Sequence, residues 1–118
     1  RDPAAYRQRA FELSVAGYFA DPVRAHDLTP FRVVGKVQQS TWASVDGAAL
    51  VAALPGLGVP AAVVHGDADP IPLDSAQRTA AALGTTCTVL ADCGHVPYVE
   101  APAALHAALD RFVRSRSA

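Results

Sequence analysis

The sequence predicts an α/β fold in which a helical segment precedes parallel strands flanked by helices. Three observations carry that prediction. Residues 1–54 show helix-start signals and apolar positions at helical spacing, with no strand-like run. Residues 55–118 alternate short apolar runs, suited to strands covered on both faces, with amphipathic helical stretches. The resulting order of helix cluster, strand, helix, strand, helix is that of parallel strands joined by a right-handed crossover.

In the first segment, Asp2-Pro3, Asp21-Pro22 and Thr29-Pro30 each set a capping side chain before a proline. Proline's fixed φ and missing N–H suit the first helical position. Phe11, Val15 and Tyr18 stripe the first helix, with Arg7 and Arg9 off the stripe. After Pro30, the stripe of Phe31, Val34, Val37 and Thr41 predicts a long helix through "FRVVGKVQQSTW", weakened at Gly35 by about 1 kcal/mol relative to Ala. Asp46 is placed to cap a further short helix, "GAALVAAL".

"PGLGVP" breaks the helical pattern, and residues 60–65 are expected to form the first strand. After the turn "GDADPIP", Ala76, Ala80 and Leu83 stripe a helix that Gly84 closes as a C-cap. "TTCTVLA", rich in β-branched residues, predicts the second strand. "DCGHVPYVEAP" is expected as a loop; Leu105, Ala108, Leu109 and Phe112 then stripe a final helix, with His106 and Asp110 off that stripe. Two parallel strands are too few for a stable sheet, so further strands are expected from outside this chain.

At 118 residues and 51% hydrophobic, the chain is long enough to bury roughly two-thirds of its unfolded surface. Ten Lys plus Arg against eleven Asp plus Glu leave a formal charge of −1, with no basic footprint for nucleic acid or an acidic membrane face. Small-molecule or protein partners are favoured. Cys87 and Cys93 form no CxxC and no metal-ligand spacing with His, so free thiols in a reducing compartment, the cytoplasm, are expected. No apolar run approaches the roughly 18 residues of a membrane span, and the N-terminus lacks a basic region followed by an apolar core. The chain opens at Arg1 without an initiator Met, as a processed, trimmed or excised segment would.

In a parallel sheet, the loops leaving the carboxyl ends of the strands gather on one edge, where ligands and catalytic groups sit. Both polar loops here leave such ends. Strands run about 4.8 Å apart, so Asp69 of "GDADP" and His95 of "CGHVP" can hydrogen-bond if their strands are neighbours. Such a pair is the orienting half of a nucleophilic triad: the Asp accepts from one imidazole nitrogen and frees the other to take a proton. Each residue also has an ordinary reading, Asp69 as a turn or helix cap and His95 as a solvated loop histidine. Asp67 is expected to be exposed, His65 to be a packed, satisfied imidazole, and His26 and His106 to lie on the surface. No metal site is expected, since ligands from one short turn do not complete one. Cys93, two positions before His95, is poorly placed as a nucleophile. Glu100, near the start of the last helix, suits the helix dipole. Trp42 and the aromatics Phe11, Tyr18, Phe19 and Phe31 are either core or pocket lining, with Trp42 the candidate for a substrate pocket.

"VPAAVVHGDADPIP" followed by "LADCGHVPYVEAPAALHAALDRFV" resembles the end of an α/β-hydrolase-fold enzyme. In that family a G-x-x-D turn carries the triad acid and a G-H loop before the last helix carries the base. The resemblance implies that Gly66-x-x-Asp69 makes Asp69 the acid and Gly94-His95 makes His95 the base. It is strongest over residues 59–113. It further implies that residues 1–54 belong to a helical cap or lid and residues 55–118 to the C-terminal portion of the hydrolase core. The helical part looks most like proline iminopeptidase-like proteins.

The family's nucleophile lies on a G-x-S-x-G elbow upstream of the cap, and this sequence has none. Ser14, Ser40, Ser44 and Ser75 lack the flanking glycines. The expectation is therefore a C-terminal piece of a serine hydrolase, inactive alone, whose sheet and nucleophile come from an N-terminal polypeptide of the same enzyme. An acyl-enzyme would cleave an ester, amide or peptide bond of a small-molecule or peptide substrate, without a cofactor. An aminopeptidase is implied by the cap, but Asp2, Glu12, Asp21, Asp27 and Asp46 form no evident cluster for a free amine, which keeps an esterase or lactonase open. An Asp nucleophile would give a dehalogenase or epoxide hydrolase instead. A non-catalytic binding module and an independent small α/β protein are the remaining alternatives.

Overall fold

The structure is a computed structural model and describes residues 2–117. Helix α1 (Pro3–Val15) starts where the Asp2 carboxylate turns back onto the Ala4 N–H at 2.8 Å, with Pro3 in the first turn. Before Gly17 the chain tightens into a 3₁₀ turn over Ala16–Tyr18. That tightening shifts the apolar stripe: Phe19 joins Val15 in the interior, and Tyr18 is left 45% exposed. Asp21 caps the next stretch by accepting from the Val23 N–H at 3.1 Å, and Pro22–Asp27 is 3₁₀ as well.

The helix expected from Pro30 does not start there. Residues 29–34 carry no regular structure, and α2 covers Gly35–Ser44 without a side-chain cap. Two β-branched residues, Val33 and Val34, disfavour a first helical turn. Phe31 instead meets Phe11 edge to face, centroids 5.1 Å apart. Helix α3 (Gly47–Ala53) is capped as expected, the Asp46 carboxylate accepting from the Ala49 N–H at 3.0 Å. A 3₁₀ turn over Leu54–Gly56 follows.

Strands β1 (Val63–Gly66) and β2 (Cys87–Leu90) pair in parallel, with Val63 opposite Cys87 and Gly66 opposite Leu90. Both are shorter than the apolar runs that announce them, because ladder partners exist over four positions only. Helix α4 (Leu73–Ala82) crosses between them and packs on both. Gly84, at φ +67°, closes that helix in the left-handed region that glycine adopts cheaply. A single helical turn, α5 (Pro97–Glu100), stands inside the expected loop, and α6 (Pro102–Arg114) returns against β2. The fold is thus mixed α/β, a two-stranded parallel sheet among helices.

Val15, Phe19, Ala25, Leu28 and Val96 form the main apolar core, backed by Phe11, Ala16 and Val99. This core crosses the boundary expected at residue 54, since Val96 and Val99 come from the loop around His95. Burying such side chains stabilises by about 1.5–3 kcal/mol each, so the first helices are held to the His95 loop and not to the sheet. The strands, expected to be covered on both faces, leave Val63 and Val64 half-buried and Val89 44% exposed. Two strands offer too few neighbours to do otherwise. From residue 29 to residue 60 only Leu54 is even half-buried. The radius of gyration, 17.0 Å, exceeds the roughly 13.5 Å of a compact chain this long. Among the described residues, no helix is long and apolar enough to cross a membrane.

Candidate active site

The site begins with a glycine. A Cβ on Gly66 would lie 2.1 Å from the Cys93 carbonyl oxygen and 2.3 Å from that of Gly94, so the end of β1 runs backbone to backbone against the loop after β2. Side by side, the two segments exchange bonds past the ladder. The Asp67 N–H donates to the Leu90 carbonyl and the Ala68 N–H to the Cys93 carbonyl, each at 2.9 Å. The Cys93 N–H returns a bond to the Asp67 carboxylate at 3.2 Å. Asp67 is exposed, as expected, and it also ties the two corners together. Asp92, at φ +51°, turns the chain into the second corner, a conformation Asp tolerates better than most residues.

These bonds bring Asp69 and His95 together: Oδ2 of Asp69 lies 2.8 Å from Nδ1 of His95. The Asp69 side chain is only 5% exposed, that of His95 45%. Oδ1 of Asp69 accepts from the Ile71 N–H at 2.8 Å. With both oxygens engaged the carboxylate has one orientation. A carboxylate can only accept, so Nδ1 carries a proton, and in the neutral ring Nε2 holds the lone pair. Among the described residues Nε2 has no hydrogen-bond partner, which leaves it free to take a proton. The ring is steadied by Tyr18, centroids 5.5 Å apart, and the His95 N–H donates to the Tyr18 carbonyl at 2.6 Å.

His65 is the packed, satisfied imidazole that was expected. Its Nε2–H donates to the Ile71 carbonyl at 2.9 Å, while Nδ1 stands 3.8 Å from Oδ2 of Asp69. It therefore braces the turn that presents Asp69. Cys93 is fully buried. Burial first, then the nearby carboxylates of Glu100, Asp67 and Asp69, push its thiol pKa up and so keep it protonated and unreactive. Ser14 and Ser44 spend their hydroxyls on the carbonyls of Phe11 and Thr41. Among the described residues no hydroxyl or thiol hydrogen-bonds His95, and no three His, Cys, Asp or Glu side chains are grouped to hold a metal ion. His26 is exposed and pairs with Glu12 at 3.0 Å.

Trp42 is not brought to this pair. It stands on α2, 70% exposed, and α2 packs closely on no other helix or strand. A concavity is bordered instead by Tyr18, whose ring also faces His95. It has about 410 Å³ and is lined by Phe11, Ser14, Val15, Tyr18, Phe31, Val33 and Gln38, with no carboxylate among them. Glu100 carries more than the helix-dipole role expected of it: it ends α5, and its two oxygens accept from the Gly94, Ala20 and Asp21 N–H groups. Sequence spacing hides these contacts, because Ala20 and Asp21 lie on a distant segment and offer only backbone.

No family model, curated protein or solved structure matches this chain.

Proposed function

We propose that this chain supplies the acid and base of an α/β-hydrolase active site, and that a companion polypeptide of the same enzyme completes the sheet and provides the nucleophile. One observation carries the reading: the 2.8 Å contact between a buried, doubly held Asp69 and an imidazole whose other nitrogen is free. The half-covered strands support the companion.

In the assembled enzyme a serine hydroxyl from the companion attacks the substrate carbonyl carbon while His95 Nε2 takes its proton. Asp69 stabilises the resulting imidazolium and holds the ring in place. The tetrahedral intermediate collapses to the acyl-enzyme, and His95 returns the proton to the departing alcohol or amine. Water then repeats both steps and releases the acid. An ester or lactone fits better than the free α-amine of an aminopeptidase substrate, because the concavity beside Tyr18 lacks a carboxylate to meet an ammonium group.

The test is to purify the chain from its native source under mild conditions and identify what accompanies it. A polypeptide of roughly 120–180 residues, the remainder of a typical single domain, is expected. A fluorophosphonate probe should label a serine on that companion, and His95→Ala should cut both labelling and ester hydrolysis by on the order of 10⁶. An assembly that hydrolyses esters equally well without the imidazole refutes the reading. An aspartate nucleophile would show as activity on haloalkanes or epoxides without labelling; a binding module would show neither.

A further inference from the structure

Glu100 joins two segments some eighty residues apart in sequence. Oε2 accepts from the Gly94 N–H at 2.7 Å, and Oε1 accepts from the Ala20 N–H at 2.7 Å and the Asp21 N–H at 3.3 Å. Gly94 immediately precedes His95, and Ala20 follows the turn whose Tyr18 carbonyl receives the His95 N–H. The space between is closed: a Cβ on Gly94 would lie 2.3 Å from the Tyr18 carbonyl oxygen, 2.8 Å from the Ala20 nitrogen and 2.9 Å from Oε2 of Glu100. Nearby, the Arg24 guanidinium donates to the Val99 carbonyl at 2.8 Å. Every strong tie between the 18–24 segment and the loop of the base therefore passes within one residue of His95 or Glu100.

We propose that Glu100 is a positioning residue that makes the aim of His95 depend on the seating of the 18–21 turn. The inference rests on the acid–base reading of Asp69 and His95. Three main-chain donors converge on one carboxylate, an arrangement that fixes it in place. If the turn lifts, Gly94 loses its anchor and His95 loses both its backbone bond and the ring of Tyr18. The Asp69 contact alone leaves the ring free to swing about that bond. Seating the turn and orienting the base then become one event.

The experiment compares Glu100→Ala, Glu100→Gln and a control, Glu12→Ala, in the native assembly. Glu12 is also a hydrogen-bonded carboxylate of the first segment, its pKa lowered by Gln8 and His26, and among the described residues none of its hydrogen bonds reaches the loop of the base. Glu100→Ala should lower kcat about 100-fold, the loss attending a misplacement of about 1 Å, with KM nearly unchanged. Formate should restore part of that rate by refilling the carboxylate site. Glu100→Gln keeps the volume and one acceptor oxygen, so it should fold and lose on the order of tenfold. Glu12→Ala should leave kcat alone. In the full chain by itself, the Nδ1 proton of His95 should give a downfield NMR signal that Glu100→Ala broadens and Glu12→Ala does not.

Glu100 variants whose kcat stays within about twofold of the parent, or falls only as the folded fraction falls, overturn the proposal. A parent chain with no such signal, or an assembly indifferent to His95→Ala, fails at the underlying acid–base reading instead.

Discussion

Residues 63–100 and residues 29–60 are stretches of similar length in the same small chain, and they are built on opposite terms. In the first, backbones meet without room for a methyl group at Gly66 or Gly94, and carboxylates of Asp67, Asp69 and Glu100 each collect main-chain donors. In the second, Phe31, Val33, Val34, Val37, Trp42 and Leu50 all stand more than half exposed. No glycine of α2 or α3 has a neighbour within contact of its missing side chain. The polar corner is complete in itself; the arm is not. Close packing around a charge pair beside large apolar groups left in water is what the proposed companion would require, since it would cover the arm and leave the pair presented.

The contrast is tested hardest at Asp69. Asp69→Asn keeps the size of the side chain but can present an amide N–H to Nδ1, which favours the wrong imidazole tautomer. Ester hydrolysis by the native assembly should fall by on the order of 10⁴, about 5 kcal/mol of transition-state stabilisation. KM should change little. A loss under tenfold would mean that the two residues form a structural contact only.

The next effect is a paired one on stability. Gly66→Ala forces a Cβ onto two carbonyl oxygens of the opposite backbone, and no side chain can move aside to relieve it. It should cost about 3 kcal/mol or more in urea unfolding of the chain. Gly35→Ala, at the first residue of α2 with open space around it, should stabilise by about 0.4–1 kcal/mol by restricting the unfolded chain. Equal costs at the two positions would erase the distinction between corner and arm.

Much of the corner is legible in sequence because its signals are local. An apolar run followed by Gly66-x-x-Asp69, and a second followed by Gly94-His95, place two side chains at adjacent strand ends once the strands pair. The caps at Asp2, Asp21 and Asp46 are local in the same way, each acting on an amide two or three residues ahead. Glu100 is not, since two of its partners are main-chain amides on a remote turn, which any residue but proline could have supplied. The stripe from Phe31 to Thr41 misleads for a third reason. Periodicity states that a helix would be amphipathic, but a helix forms at a given residue only if something rewards its apolar face or caps its end. Here Val34 offers no cap, and Phe31 gains more from the edge of Phe11.

The smallest predicted effect lies at Trp42 and separates two meanings of exposure. In the chain alone, Trp42→Ala removes a side chain that touches little, so the urea midpoint should shift by less than about 0.5 kcal/mol. A loss above 1.5 kcal/mol would mean that the arm folds back onto the chain in water. If the proposed companion covers the arm, the same substitution in the assembly should weaken that association by about 2 kcal/mol, as truncating a buried aromatic anchor does. A Trp42 that matters in neither measurement would place the covering surface elsewhere on the arm, and Leu50 and Val37 would be the positions to truncate next. Because both numbers come from one substitution, the difference between them isolates what the companion contributes at Trp42. Asp69 and Gly66, already satisfied within the chain, should show no such difference.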